Sequence, residues 1–455
     1  MTNPLWSIVS RRILAAGFLI AGVLPQAQAG GFQLFEQTVG GLGNAYAGRS
    51  ASAEDVSTIF FNPAGLTRVP GTQAVAGVHI IALNAKFDNK GSTASSPNFQ
   101  GTNALLGTNG SDAGETGVVP NLYIGHQLTN NLHLGLGINV PFGLKTKYTN
   151  DWVGRYHAIR TELKTVNINP ALAYKINSMF SVGIGANAQY ADADLTNAID
   201  FGAQVDAQGQ CPPPPAGPPS GFCAQALDGR ANLSGDDWAW GYNVGLLMEL
   251  SPDTRFGLSY RSKLKYKLEG DVRFDVPTAV QPAFPFTKED VSADLDLPES
   301  VSFSAYHQLT PKLALLGDVT WTKWDRFKEL RVTFDNAPLP DDVTPEDWNN
   351  SFRYSLGANY RLGSEWLLRT GGAYDETPIP SAEKRTPRIA ESDRFWLAFG
   401  ISHTPNSSFR FDFSYAHLFV RDAKINNDDG SGHILTGNYK NSSVDIFSGQ
   451  MVYTF

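Results

Sequence analysis

Phe409-Arg410-Phe411-Asp412-Phe413-Ser414-Tyr415 alternates aromatic with polar residues at every step. A period of two places Phe409, Phe411, Phe413 and Tyr415 on one face of a strand and Arg410, Asp412 and Ser414 on the other. Upstream, Val166, Ile168, Pro170, Leu172, Tyr174 and Ile176 oppose Thr165, Asn167 and Asn169 in the same way. Val182, Ile184, Ala186, Ala188 and Tyr190 likewise oppose Ser181, Gly183, Gly185, Asn187 and Gln189. Six very short connectors join such runs: Thr129-Asn130-Asn131, Asn177-Ser178, Ser251-Pro252-Asp253, Thr310-Pro311, Gly363-Ser364 and Thr404-Pro405-Asn406. These read as hairpin turns. Between them lie long polar connectors, as from Asp88 to Gly114, Ala198 to Gly235, Gly270 to Ala293 and Asp422 to Asn438. Tight turns at one end and long loops at the other predict a transmembrane β-barrel.

The front of the chain sets the compartment. Arg11 and Arg12 precede the apolar run Ile13 to Leu24, and Ala27-Gln28-Ala29 ends in small residues, which reads as a secretory signal over 1–29 cleaved before Gly30. The Arg pair also fits a twin-arginine signal, a reading disfavoured because a barrel must cross the inner membrane unfolded. Cleavage leaves 34 basic and 44 acidic residues, a formal charge of −10, so nucleic acid is not an expected partner. Beyond Gly30 no run approaches the roughly 18 to 20 apolar residues of a membrane helix, which leaves a closed barrel as the spanning alternative.

Fourteen strands are expected, near 72–87, 115–127, 132–146, 161–176, 179–197, 236–250, 254–270, 294–309, 312–334, 351–362, 365–376, 390–403, 408–421 and 439–455. The last ends in Phe455, an aromatic terminus like the assembly signal of outer-membrane barrels. Residues 30–71 differ: they are rich in Gly, Ala and Ser, lack alternation, and carry Asn62 ahead of Pro63 and Ala64, a cap followed by a first-turn proline. A fourteen-stranded lumen is too wide for its own side chains to fill, so this segment is expected to fold inward as a helical hatch. The competing reading, an exposed periplasmic arm, would leave Phe32, Leu34, Phe35, Ile59, Phe60 and Phe61 in water.

Gly31-Phe32-Gln33-Leu34, Gly41-Leu42-Gly43-Asn44-Ala45-Tyr46-Ala47-Gly48 and Asn62-Pro63-Ala64-Gly65-Leu66 resemble the hatch of the FadL/TodX family of outer-membrane transporters for hydrophobic compounds. Pro298-Glu299-Ser300, Ser355-Leu356-Gly357, the stretch Arg369 to Asp375, Pro378-Ile379-Pro380 and Asp393-Arg394-Phe395-Trp396-Leu397 extend the resemblance over the mature chain. It implies capture of cargo at the extracellular mouth and transfer to a hydrophobic pocket beside the mature N-terminus. A shift of that N-terminus then opens a lateral exit at a kink in the third strand. On this expectation Gly30, Phe32, Leu34, Asn62, Pro63 and Ala64 belong to the hatch and gate, and Asn139, Pro141, Phe142 and Gly143 form the kink. Proline cannot donate a ladder hydrogen bond and Gly permits a bend, which supports a break there. An ordinary strand rim is the alternative.

A carboxylate cargo favours cations on the inner face. Continuing the alternation through 255–269 sends Phe256, Leu258, Tyr260, Leu264 and Tyr266 outward and Arg261, Lys263, Lys265 and Lys267 inward; Arg353, Arg369, Arg394 and Arg410 also fall inward. Of these, Arg261, Lys263, Lys265, Arg353, Arg369 and Arg394 are the candidate head-group contacts, with pairing to Asp318 and Asp412 as the structural alternative. Cys211 and Cys223 flank a proline-rich tip and are expected to bond in an oxidising compartment. The eight histidines make no ligand cluster with them, so neither metal nor cofactor is expected. Gly-x-Ser-x-Gly, His-Glu-x-x-His and Walker signatures are absent, which disfavours an enzyme.

The reading is an importer of hydrophobic small molecules in a Gram-negative outer membrane, long-chain fatty acids first. Monoaromatic hydrocarbons come second, a general diffusion porin third, and a secreted soluble β protein is disfavoured. The expected partners are the cargo, outer-membrane lipid and lipopolysaccharide, and the barrel assembly machinery through Phe455; the expected state is a monomer.

Overall fold

The computed structural model describes residues 30–95, 102–211, 223–285, 288–335 and 340–455. The expected signal segment 1–29 and the proline-rich tip at 212–222 lie outside the described residues. Fourteen antiparallel strands form the wall: β1 Thr72–Asn89, β2 Thr116–Gln127, β3 Leu132–Asn139 resuming as Gly143–Lys147, β4 Arg160–Lys175, β5 Phe180–Asp200, β6 Asp228–Glu249 and β7 Thr254–Arg261 resuming as Leu264–Asp275. They continue as β8 Lys288–Leu297 with Ser300–Gln308, β9 Leu313–Thr322 with Glu329–Phe334, β10 Ser351–Leu362, β11 Trp366–Asp375, β12 Arg394–His403, β13 Phe409–Val420 with Ala423–Asp428, and β14 His433–Thr454. β14 pairs back onto β1 from Gln73↔Thr454 to Asn89↔Gly437, so the sheet closes on itself. Closure matters because an open edge in lipid would leave backbone donors and acceptors unpaired.

Local chemistry explains the tight turns. The Asn177 carboxamide oxygen accepts from the backbone N–H of Met179 and Phe180, both at 2.8 Å, and Asn406 does the same for Ser408 and Phe409 at 3.0 Å. Such side chains substitute for a ladder hydrogen bond and reverse the chain within a few residues. At the opposite end the strands run farther than the composition suggests. The expected connectors 198–235, 270–293 and 422–438 are partly strand, because β5 and β6 reach Asp200 and Asp228, β7 and β8 reach Asp275 and Lys288, and β13 and β14 reach Asp428 and His433. Backbone ladders need no apolar side chains, so polar residues extend the wall above the membrane.

The outer surface carries the apolar belt that alternation requires, including Ile80, Leu172, Ile184, Phe303, Phe413 and Phe447. Facing inward on the assigned strands are buried Thr165, Asn167, Asn169, Asn187, Gln189 and Asp412.

The alternation expected across 254–270 inverts partway. Arg261 pairs with Asn243 and Glu269 with Asp236, so β7 spends one residue more than β6 over the same ladder. A one-residue bulge exchanges the faces. Leu264 and Tyr266 are therefore buried inside, and Lys265 and Lys267 point out, the reverse of the sequence expectation.

Residues 30–68 lie inside the barrel. Three one-turn helices, α1 Val39–Leu42, α2 Arg49–Ser52 and α3 Thr58–Phe61, lead into a 3-10 turn at Pro63–Arg68. Asn62 caps that turn by accepting from the Ala64 N–H at 3.1 Å, and its NH2 donates to Ser50 O and to Leu246 O on β6. Gly245 makes this approach possible, since a Cβ there would sit 1.9 Å from the Asn62 side-chain oxygen.

Candidate functional site: an opening in the wall and the segment that fills it

The β2–β3 ladder runs from Gln127↔His133 to Leu122↔Ile138 and reappears only as a single bridge, Gly114↔Thr146. β3 leaves the sheet after Asn139 and resumes at Gly143, so the break falls on the residues expected for a kink. Pro141 has no N–H to offer β2 or β4, which makes the interruption inexpensive here. The chain just after Gly30 occupies the break. Leu34 N–H donates to Pro141 O at 2.8 Å, Gly143 N–H donates to Phe32 O at 2.9 Å, and the Gln37 carboxamide clasps Val140, donating to its carbonyl at 2.7 Å and accepting from its N–H at 3.3 Å.

Phe32 also looks the other way. Its ring lies 4.9 Å from Trp324, 5.7 Å from Phe327, 5.8 Å from Trp348 and 6.1 Å from Phe142. Gly31 precedes it at φ +65°, where a Cβ would strike the Trp348 ring at 2.7 Å. Phe32 and Phe327 border an apolar cavity of about 100 Å³ whose other walls include Leu144, Leu163, Leu268 and Leu295. Two charged loop residues close its upper rim, Glu346 and Arg388. Burial pushes the Glu346 carboxyl up to about 7, against a Trp348 indole N–H donated at 2.8 Å and the nearby Arg388 guanidinium. Arg388 and Leu233 also line a larger polar vestibule of about 700 Å³ between the long loops, with Asp200, His157 and His433.

At the start of this segment, Gly30 N–H donates to Asp375 at 3.1 Å, and Arg394 lies 3.6 Å from Asp375 and 2.9 Å from Glu391. Burial pushes Glu36 up to about 7, opposed by a backbone N–H and by the charges of Arg353 and Arg394.

Farther along the hatch, residues 49–55 are held by charge as well as by packing. Arg369 reaches Glu54 at 2.8 Å and Asp412 at 3.6 Å, while Arg410 contacts both Asp55 and Asp412. Burial favours the neutral form of Glu54, yet Arg369, Arg49 and Arg410 together hold it well below the usual carboxylate range. Under this network a polar cavity of about 440 Å³ faces the short-turn end and reaches Glu54, Arg255, Arg369 and Arg410.

The candidate cations thus separate. Arg369 anchors the hatch, and Arg394 sits by the Gly30 N–H. Lys265 faces outward, 3.7 Å from Asp296, and Lys263 lies at the bulge itself and borders none of the cavities. Arg261 and Arg353 line a small internal cavity against the hatch. Cys211 and Cys223 are bonded to each other beside α4 Phe201–Ala207, so their sulfurs are not available to a metal. Sequence reasoning missed Arg388, Glu346, Trp324 and Trp348, because loop residues carry no periodicity that marks which way they point.

Relatives share this architecture. A Pseudomonas aeruginosa FadL homologue superposes with a TM-score of 0.82 at 24% identity, covering 93% of this chain and all of its own. The Pseudomonas putida toluene transporter TodX superposes at 0.63 with 17% identity over 88% of this chain and 94% of its own. By sequence, the long-chain fatty acid transport protein of Escherichia coli O6:H1 is 29% identical over 92% of this chain and 93% of its own length, and outer membrane protein P1 of Haemophilus influenzae is 31% identical over 90% of each. The model of the outer membrane protein transport family (OMPP1/FadL/TodX) matches residues 20–455. A closed barrel with an apolar belt, a filled lumen and these relatives together describe an outer-membrane transporter of hydrophobic small molecules, and the chain belongs to the OMPP1/FadL/TodX family.

Proposed function

We propose that this protein imports long-chain fatty acids. Cargo enters the polar vestibule, passes Arg388 into the apolar cavity, displaces Phe32 and leaves sideways through the opening between β2 and β3. The observation that carries the reading is that one segment does two things: Phe32 is the floor of the cavity, and its own carbonyl, with Leu34 N–H, fills the wall opening. Ligand pockets for drug-sized molecules measure roughly 300–1,000 Å³. A cavity of about 100 Å³ cannot hold a long acyl chain without yielding, and Phe32 is the part of its lining that comes from the N-terminal segment and not from the wall or its loops. Displacing it opens the wall by the same motion. Exit through the periplasmic end is disfavoured because the ion-paired hatch stands in that path.

The residue assignments are part of this reading: a signal over 1–29, a hatch over 30–71 with Gly30, Phe32, Leu34, Asn62, Pro63 and Ala64, a barrel over 72–455, and a lateral exit at Asn139, Pro141, Phe142 and Gly143. Arg388 joins the head-group candidates as the cation shared by vestibule and cavity. On this reading Phe455, exposed beyond β14, is the signal for the barrel assembly machinery, the partners of the apolar belt and the loops above it are lipid and lipopolysaccharide, and the barrel is taken as a monomer.

One observation favours a second cargo. A dry cavity of about 150 Å³ suffices for benzene, so the unexpanded cavity is near the size of a monoaromatic ring. Uptake of labelled oleate and toluene in cells lacking other such transporters separates the two. Transport of oleate is expected, with Gly143→Trp reducing it while the barrel keeps its heat-modifiable migration. Cells that take up neither compound would overturn the import reading; unimpaired transport by Gly143→Trp would remove the lateral exit.

A further inference from the structure

A second internal cavity, of about 50 Å³, lies between the hatch and the wall on the far side of the N-terminal segment, bordered by Gln33 and Phe35. Three guanidinium groups line it: Arg49 from α2, Arg261 from β7 and Arg353 from β10. Arg49 and Arg353 are each only 2% exposed. Arg261 donates to Asn187 at 2.7 Å and to Phe60 O at 2.9 Å, and lies 4.1 Å over the Phe60 ring. Arg353 donates to Ala45 O at 2.9 Å and stacks near Phe35 and Trp396. Neither forms a salt bridge among the described residues. Arg49 approaches Glu54 only at 3.7 Å, and Glu54 is already engaged by Arg369 at 2.8 Å.

Several donors remain open. Among the described residues, Arg49 Nε and Arg353 Nε are buried with no hydrogen-bond partner, and Arg49 Nη1 has only the 3.7 Å approach to Glu54. The one carboxylate in the lining, Asp318, is occupied by hydroxyls: Ser302 donates at 2.8 Å, Thr320 at 2.7 Å, and Ser304 donates as well. Of the other carboxyls near Arg353, Asp375 is shared with Gly30 N–H and Arg394, and Glu36 is kept from serving as a full counter-charge by burial that pushes it up to about 7. Three cations and one hydrogen-bonded carboxylate line the cavity, and the remaining acids nearby, Glu54 and Asp375, lie outside the lining and are shared with Arg369 and Arg394, so a further anion that enters is favoured. Space is sufficient, since one water needs roughly 10–15 Å³ on the same measure.

We propose that Arg49, Arg261 and Arg353 form a carboxylate-binding station that takes the head group of the cargo once Gln33 and Phe35 move aside, while the acyl tail remains in the apolar cavity beside Phe32. The two cavities are bordered by consecutive residues of one segment, Phe32 and Gln33, so a single displacement joins them. The station draws the charged end past the gate and orients the chain toward the wall opening. This inference rests on the import reading, with fatty acid as cargo.

The test compares decanoate with decanol, ligands of one length that differ in charge, by equilibrium binding to the purified folded barrel. Arg49→Gln and Arg353→Gln are expected to weaken decanoate about tenfold or more and to leave decanol unchanged, as loss of a charged hydrogen bond would. Equal weakening of both ligands, or of neither, overturns the station and leaves the import reading standing. A wild-type protein that binds neither ligand overturns both. Should the variants fail to fold, diffraction from wild-type crystals soaked in bromide decides: anomalous density among the three guanidinium groups supports the station, and a cavity holding only water overturns it.

Discussion

Two parts of the hatch, both inside the barrel, are held by different forces. Around Phe32 the contacts are ring on ring, with two backbone hydrogen bonds to the broken strand. Around Glu54 and Asp55 they are ion pairs to Arg369 and Arg410 on the wall. Apolar contacts exchange for other apolar contacts at little net change, so a greasy ligand can replace a phenyl ring. Removing one partner of a buried ion pair leaves an uncompensated charge. The difference assigns motion to the first region and fixity to the second.

The comparison breaks most sharply at the ion pairs. Arg410→Met strands Asp55 and is expected to lower stability by about 3–5 kcal/mol, seen as a lower denaturant midpoint and protease access to residues 49–55. A variant as stable as the parent would show that the network is not what fixes the hatch. Next, Phe32→Ala is expected to cost about 3 kcal/mol, confined to the front segment. Hydrogen exchange should rise on the order of a hundredfold over 31–37 and stay unchanged at 58–66; uniform loosening would erase the distinction.

Glu36 gives a pH-dependent version of the same contrast. Its carboxyl is raised from 4.5 to about 7 in the closed state, so closure binds a proton that release gives up. Closure is therefore favoured fully below about 4.5, weakens as pH climbs, and levels off above about 7. At roughly 1.4 kcal/mol per pH unit, the change between pH 5 and pH 8 is about 2–3 kcal/mol. The protection factor of residues 31–37, taken relative to base-catalysed intrinsic exchange at each pH, should fall from pH 5 to pH 8 in the parent and not in Glu36→Gln. A parent without that slope would show that Glu36 is hydrated or paired in the closed state. The smallest effect is expected at Cys211→Ser, where opening the loop costs roughly 2 kcal/mol locally and leaves oleate uptake unchanged. Reduced uptake would give the loop a part in capture.

Much of the wall was legible. Alternation in Phe409 to Tyr415 or Val166 to Ile176 assigns faces because lipid and lumen impose opposite demands on neighbouring residues. The Pro141 break was visible because proline's missing N–H acts wherever the residue sits. Lys265 and Lys267 show where such reading fails: a single unpaired residue near Lys263 inverts every face beyond it, and nothing in the local composition marks the insertion. The arginines fail for another reason. Arg353, Arg369 and Arg394 share an inward face, yet one opens on a cavity, one holds the hatch and one lies by Asp375, according to what the hatch places opposite them.

By itself, then, the sequence determined the class of fold, the fourteen spans and the position of the strand break, because period and proline chemistry act over a few residues. Only the tertiary structure decided that Phe32 both floors a cavity and closes the wall, that Glu54 and Asp55 fix the hatch, and that Arg49 meets Arg261 and Arg353. Those depend on residues as far as 355 positions apart being brought within a few ångströms, and no local pattern encodes which of them meet.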